Sequence, residues 1–144
     1  MSFKNKNTWL LLSLLWVGVM FFLSHQNGTD TFNTSHGFTV YLANLFHVDP
    51  ELLHTIVRKA AHLGLYFILT LFLYGYQVLR GKATWLALVA AVIFSVLDEG
   101  TKPFIPGRHC DGEDILLNDV GAVLGYISAL YFGKKCLSKR DELA

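Results

Sequence analysis

Arg58, His62 and Tyr66 follow one another at intervals of four residues, so a helix through them carries a guanidinium, an imidazole and a phenol on one face. Lys59 stands next to the first of them. Further along, Asp98 and Glu99 are adjacent. Lys102 and Arg108 then flank the stretch Pro-Phe-Ile-Pro-Gly, and Asp114 and Asn118 are again four apart. Several chemistries suit these side chains. A guanidinium grips a phosphate or carboxylate through two parallel hydrogen bonds. Carboxylates and imidazole exchange protons, and a low-dielectric edge perturbs their proton affinity. Acids and bases at one depth also staple helix ends together as ion pairs, and Arg58 or Arg108 is expected to pair with Asp98, Glu99 or Asp114. His62, Asp98, Glu99, His109 and Asp114 are metal-ligand types. No paired spacing such as His-Glu-x-x-His is present, however, and no metal is expected. The chain has neither a Ser or Cys nucleophile elbow nor a Walker-type loop, and the Cys110 thiol is expected to be a bystander.

The elements that must position these groups are apolar. Hydrophobic residues make up 53% of the 144 and charged ones 16%, against roughly a quarter charged in soluble domains. The apolar residues come in blocks: 9–23, 60–79, 84–97 and 115–132. About 20 helical residues cross the roughly 30 Å hydrocarbon core of a bilayer. The expected fold is therefore all-α: a single polytopic membrane domain over residues 1–144 with four transmembrane helices, near 8–24, 56–79, 83–100 and 114–133. The first block follows Lys4 and Lys6 as a signal peptide would. Its exit, Ser24-His25-Gln26-Asn27, lacks a small-x-small cleavage pattern, so it is read as an uncleaved span.

Local signals refine this outline. Asp49-Pro50-Glu51 supplies a cap, a first-position proline and a first-turn acid, and starts a helix that runs through Leu79. The third block is only about 21 Å long as a helix. It must continue into Asp98 and Glu99 and draw them toward the outer leaflet, or the bilayer must thin there. Phe38, Tyr41, Leu42, Leu45 and Phe46 form an amphipathic stripe, read as an interfacial helix in the first outer loop with Ser35 as its cap. A sharp turn is expected at Pro106-Gly107, with Phe104 and Ile105 dipping into the interface. Gly121 and Gly125 have the spacing that permits close helix contact. Lys134–Ala144 reads as a polar, basic tail.

Basic residues set the orientation. Lys4, Lys6, Arg80, Lys82, Lys134, Lys135, Lys139 and Arg140 fall on one side of this topology, which the positive-inside rule makes cytoplasmic, with both termini inside. All six histidines then face outward, and Arg58, Lys59, Lys102 and Arg108 stand outside among the carboxylates. Cys110 and Cys136 fall on opposite sides, so no disulfide is expected between them. The net charge of +1 says nothing about nucleic acid, but the chain has no concentrated basic stripe of the kind that binding needs, and no nucleic-acid partner is expected. Unpaired charge at the bilayer centre costs at least about 2.5–3.5 kcal/mol. The polar groups are therefore expected to meet in one pocket under the outer headgroups.

With these residues in place, the chain resembles the VanZ-like family of small bacterial membrane proteins, whose founding context is resistance to the glycopeptide teicoplanin. The resemblance is carried by Ser24-His25-Gln26 as Ser-x-Gln, and by Arg58, Lys59, His62 and Tyr66 as Arg-Lys-x-x-His-x-x-x-Tyr. A long block adds Asp98, Glu99, Phe104, Pro106, Gly107, Arg108, Asp114, Asn118 and Gly121. Two departures stand out. Leu65 precedes the tyrosine where many members carry Glu, and Thr101-Lys102 replaces a frequent His-Gln. Lys102 adds a positive charge, which favours anion binding. The resemblance implies a multi-pass protein of the bacterial cell membrane that lowers susceptibility to teicoplanin-type antibiotics. Membrane lipids and a lipid-linked cell-wall precursor are the partners expected. The ligand-binding set is Arg58, Lys59, His62, Tyr66, Asp98, Glu99, Lys102, Arg108, Asp114 and Asn118. The alternative is a membrane-embedded enzyme acting on a lipid or peptidoglycan group, with Asp98, Glu99 or His62 as acid or base. A third reading is a structural partner of another membrane protein that packs through Gly121 and Gly125. Some relatives carry an acyl-transferase label, but this chain shows no coenzyme A site, and no cofactor is expected. Oligomeric state stays open.

Overall fold

The computed structural model describes residues 5–26, 37 and 39–141, with side chains as far as 133. Four long helices, α1 (Lys6–Ser24), α2 (Pro50–Leu79), α3 (Trp85–Thr101) and α4 (Gly112–Asp141), account for most of them. No strand occurs among the described residues. α2 starts where its sequence signal lies. Asp49 Oδ1 accepts the backbone N–H of Glu51 at 2.8 Å and of Leu52 at 3.4 Å, and Pro50 sits where no helical N–H is needed. Asp111 does the same for α4, accepting from Glu113 N at 2.9 Å. α3 continues past its apolar run through Asp98 and Glu99, as its length demanded. A 3₁₀ turn, Lys102–Phe104, follows it, and the chain then reverses at Pro106-Gly107 with Gly107 in the left-handed region at φ 75°. Phe104 stands outward, 87% exposed.

One expectation changes. The basic segment after Gly133, read as a tail, continues α4 to Asp141. Lys, Leu and Arg are strong helix formers and neither Pro nor Gly intervenes, so polarity alone does not end the helix there. Residues 39–46 are helical, and their buried side chains are Thr39 and Ala43, whereas Tyr41, Leu45 and Phe46 of the apolar stripe face outward. Phe38 and the proposed cap Ser35 lie outside the described residues.

α2 is central and packs against α1, α3 and α4, and α3 also packs on α4. The α2–α4 seam is the most extensive, because α4 presents glycines there. A Cβ on Gly121 would collide with the Leu63 carbonyl oxygen, and one on Gly125 would lie 2.5 Å from that of Phe67. Both glycines are buried inside the chain, which removes the reading in which they form a surface for a partner protein. α1 is tied on by Trp16, whose indole N–H donates to Leu65 O at 2.9 Å, and by the contacts of Trp9 and Trp16 with Phe72.

Burial is inverted relative to a water-soluble fold. Ser13, Thr39, Thr70, Ser95, Asp98, Glu99, Lys102, Asp114 and Asn118 are buried, while large apolar side chains such as Phe22 (67% exposed) and Leu116 (65%) point outward. Water would penalise that surface and hydrocarbon accepts it. Three helical segments, Lys6–Ser24, Pro50–Leu79 and Gly112–Gly133, are long and apolar enough to cross a membrane. α3 is shorter, at 17 residues or about 25 Å.

Candidate functional site

The polar ends of all four helices converge on one side of the bundle. α1 brings Ser24, α2 brings Arg58, His62 and Tyr66, α3 brings Asp98 and Glu99, and α4 brings Asp114 and Asn118. The α3–α4 connection adds Lys102 and Arg108. Asp114 lies at the centre. Its Oδ1 is 3.8 Å from Arg58 Nη2, and its Oδ2 is 3.4 Å from His62 Nε2 and 3.9 Å from Lys102 Nζ. The other ring nitrogen of His62, Nδ1, is 3.0 Å from Asn118 Oδ1. Lys102 Nζ donates to Glu99 Oε1, with both side chains almost fully buried. On the α1 side, the Ser24 hydroxyl donates to Asp98 Oδ2 at 3.0 Å, and Arg108 Nη2 donates to Ser24 O at 3.1 Å. His25 Nε2 meets Thr101 Oγ1 at 3.0 Å and closes the same seam.

A half-enclosed cavity of about 420 Å³ opens beside this network. Its apolar lining includes Met20 and Leu23 of α1 and Val57, Ala61 and Leu65 of α2. Its polar lining is Ser24, Gln26, His54, Arg58, His62, Tyr66, Asp98, Lys102, Arg108, His109, Asp111 and Asp114. Seven of the ten residues expected in a ligand site therefore line one cavity. Glu99 and Asn118 lie behind it, bonded to Lys102 and His62. Lys59 is not in it. It turns to Glu113 at 3.3 Å on the open surface, because neighbouring residues of a helix point about 100° apart and only one of Arg58 and Lys59 can face the cluster. The expected pairing of Arg58 with Asp114 is present. Ser24, Gln26 and His54 were missed as site residues. His54 is four before Arg58, so the same spacing that picked out His62 picks it out too.

The buried part of the network holds more acid than base, and Arg58 and Arg108 bring positive charge to the cavity lining. Among the described residues three carboxylates are buried, Asp98, Glu99 and Asp114, against one buried base, Lys102. Arg58 reaches the cluster from a side chain that is half exposed. Glu99 Oε2, Asp114 Oδ1 and Asn118 Nδ2 are buried without a hydrogen-bond partner. Buried polar atoms of this kind normally find a partner in protein or water. His62, Glu99 and Asp114 each place one metal-ligand atom within 4.8 Å of the others. Sequence spacing could not foresee that triad, because its members come from three different helices. The arrangement suits acidic-group recognition, proton exchange or cation binding.

No curated protein and no solved structure matches the chain. One family model does, over residues 9–133, and every residue of the network and the cavity falls inside that range. With an all-helical body, an outward apolar surface and a match running from the first helix to the end of the last apolar run, the chain belongs to the VanZ/LLP1 family.

Proposed function

We propose that this chain is a cell-envelope membrane protein whose outer-face cavity receives an amphiphile with an acidic headgroup, a membrane lipid or a lipid-linked wall precursor. By holding that group it lowers susceptibility to teicoplanin-type antibiotics. One observation carries the reading: a single cavity is lined both by apolar side chains and by Arg58 and Arg108. Ligand sites commonly combine mostly apolar walls with a few placed polar groups, and 420 Å³ is within their usual range of about 300–1,000 Å³. Arg58 sits 3.8 Å from Asp114, beyond hydrogen-bonding distance, so its planar fork can turn to a ligand oxygen without breaking a hydrogen bond to that carboxylate. The proposed topology has four spans, both termini cytoplasmic, and residues 39–46 lying in the outer interface with Tyr41, Leu45 and Phe46 toward lipid.

The test uses the full-length protein in detergent with phosphatidylglycerol as probe, alongside teicoplanin susceptibility of cells expressing it. A charge-assisted hydrogen bond contributes about 1.5–3 kcal/mol, so Arg108→Ala should weaken lipid retention roughly 10- to 100-fold and remove any resistance. Wild-type retention and wild-type susceptibility in both Arg58→Ala and Arg108→Ala would overturn the reading.

A second reading is favoured by the buried carboxylate of Asp114, 3.4 Å from His62, with Asp98 in the same cavity lining. They are placed for acid–base chemistry on a bound lipid or peptidoglycan group. Glu99, behind Lys102, would act only through that lysine. Asp98→Asn keeps shape and removes charge. Function that survives it argues for binding alone.

A further inference from the structure

We infer that His62, Glu99 and Asp114 form a divalent transition-metal site whose cation position is held by the Lys102 ammonium. The donor set is one imidazole and two carboxylates, delivered by α2, α3 and α4, with ligand atoms no more than 4.8 Å apart. Three protein ligands of these types suit zinc, manganese or iron, with the remaining coordination left to water or to a group from the cavity. His62 is held as a ligating imidazole is usually held. Nε2 faces Asp114, while Nδ1 meets the Asn118 side-chain oxygen at 3.0 Å.

A second observation points to a cation. Glu99 is fully buried, and its Oε2 has no hydrogen-bond partner. Two of the three buried carboxylates, Glu99 and Asp114, share the one buried ammonium of the described residues, Lys102. That ammonium bonds Glu99 and lies 3.9 Å from Asp114 Oδ2, among the groups a metal would join. Lys102 is attached outside α3, on the 3₁₀ turn, and its side chain also lines the cavity. Its four-carbon stem can therefore swing out of the cluster without unwinding a helix. Ammonium and metal exclude each other, so wild-type affinity for a metal is low and rises when the lysine charge is removed. The inference needs no lipid ligand and stands apart from the function proposed above.

The experiment titrates the full-length protein in detergent with Co²⁺ and Zn²⁺, in the absence of added lipid. Lys102→Gln should bind one Co²⁺ per chain at least about ten-fold more tightly than wild type, with a visible d–d band. Lys102→Gln combined with His62→Ala should lose that band. Zn²⁺ should raise the thermal unfolding temperature of Lys102→Gln and leave that of the wild type in place. If Lys102→Gln is not recovered folded, it is prepared again with Zn²⁺ present throughout, and recovery only with the metal supports the site. Equal metal affinity in wild type and Lys102→Gln, binding that persists without His62, or no recovery with or without Zn²⁺ overturns it.

Discussion

Among the described residues Lys102 and Glu99 are the most deeply placed pair of opposite charges, with side chains 4% and 0% exposed. Burying such a pair is expensive, and their mutual attraction only offsets that cost. Removing one partner is different, because it strands a charge where no water can reach it. Lys102→Met is therefore expected to lower stability by about 3–5 kcal/mol, and Lys102→Met with Glu99→Leu to recover most of the loss. Thermal or denaturant unfolding of the metal-free protein in detergent checks both. At this scale the sequence was readable wherever partners share a helix. Arg58, His62 and Tyr66 announce a common face by their spacing, and depth in an apolar chain requires such groups to meet. Lys59 shows the limit, since adjacency in sequence turns it away from its neighbour's partners. The link from Ser24 to Asp98 spans 74 positions and joins two helices, and no local pattern encodes it.

The helices themselves were legible where local chemistry decides. The start of α2 follows from Asp49-Pro50-Glu51 alone, and Asp49→Ala should cost about 1 kcal/mol by removing the cap. The end of α4 was not legible from polarity, because the same basic residues that leave the membrane still favour helix. The α2–α4 seam tests packing more sharply. At Gly121 an added methyl group meets the Leu63 carbonyl, a backbone atom that cannot step aside. Gly121→Ala should destabilise by about 1–3 kcal/mol and pull His62 away from Asn118. Gly64 lies in the interior of α2 with nothing within 4 Å of its would-be Cβ. Gly64→Ala should gain about 0.5–1 kcal/mol. Measuring the two side by side separates steric contact from helix propensity. Similar stability changes in both would remove the close α2–α4 contact from the explanation.

Across the whole molecule, the shortness of α3 meets the position of the site. The cavity holds the early part of α2 and the first turn of α4 on one side of the bundle. α2 then runs about 30 Å away from it between Arg58 and Leu79. Thr84, just before α3, meets Tyr126 of α4 at 3.3 Å at the far end, and Asp98, near the end of α3, returns to the cavity. If α2 crosses the bilayer, α3 must bring the chain back, although it is shorter than the usual span. In the proposed topology a bilayer thinned around α3, together with the three buried polar residues at its end, Ser95, Asp98 and Glu99, would make that length sufficient. Cys110 provides the test, since its thiol is free and exposed on the connection next to the cavity. In the proposed topology that connection is extracytoplasmic, and Cys136, among Lys134, Lys135 and Lys139, is cytoplasmic. A membrane-impermeant maleimide added to intact cells should modify the Cys136→Ser variant at Cys110. The Cys110→Ser variant should be modified only after permeabilisation. Labelling of both variants from outside would place α3 and α4 wrongly with respect to the membrane, and labelling of Cys136 alone would invert the protein and move the cavity to the cytoplasm.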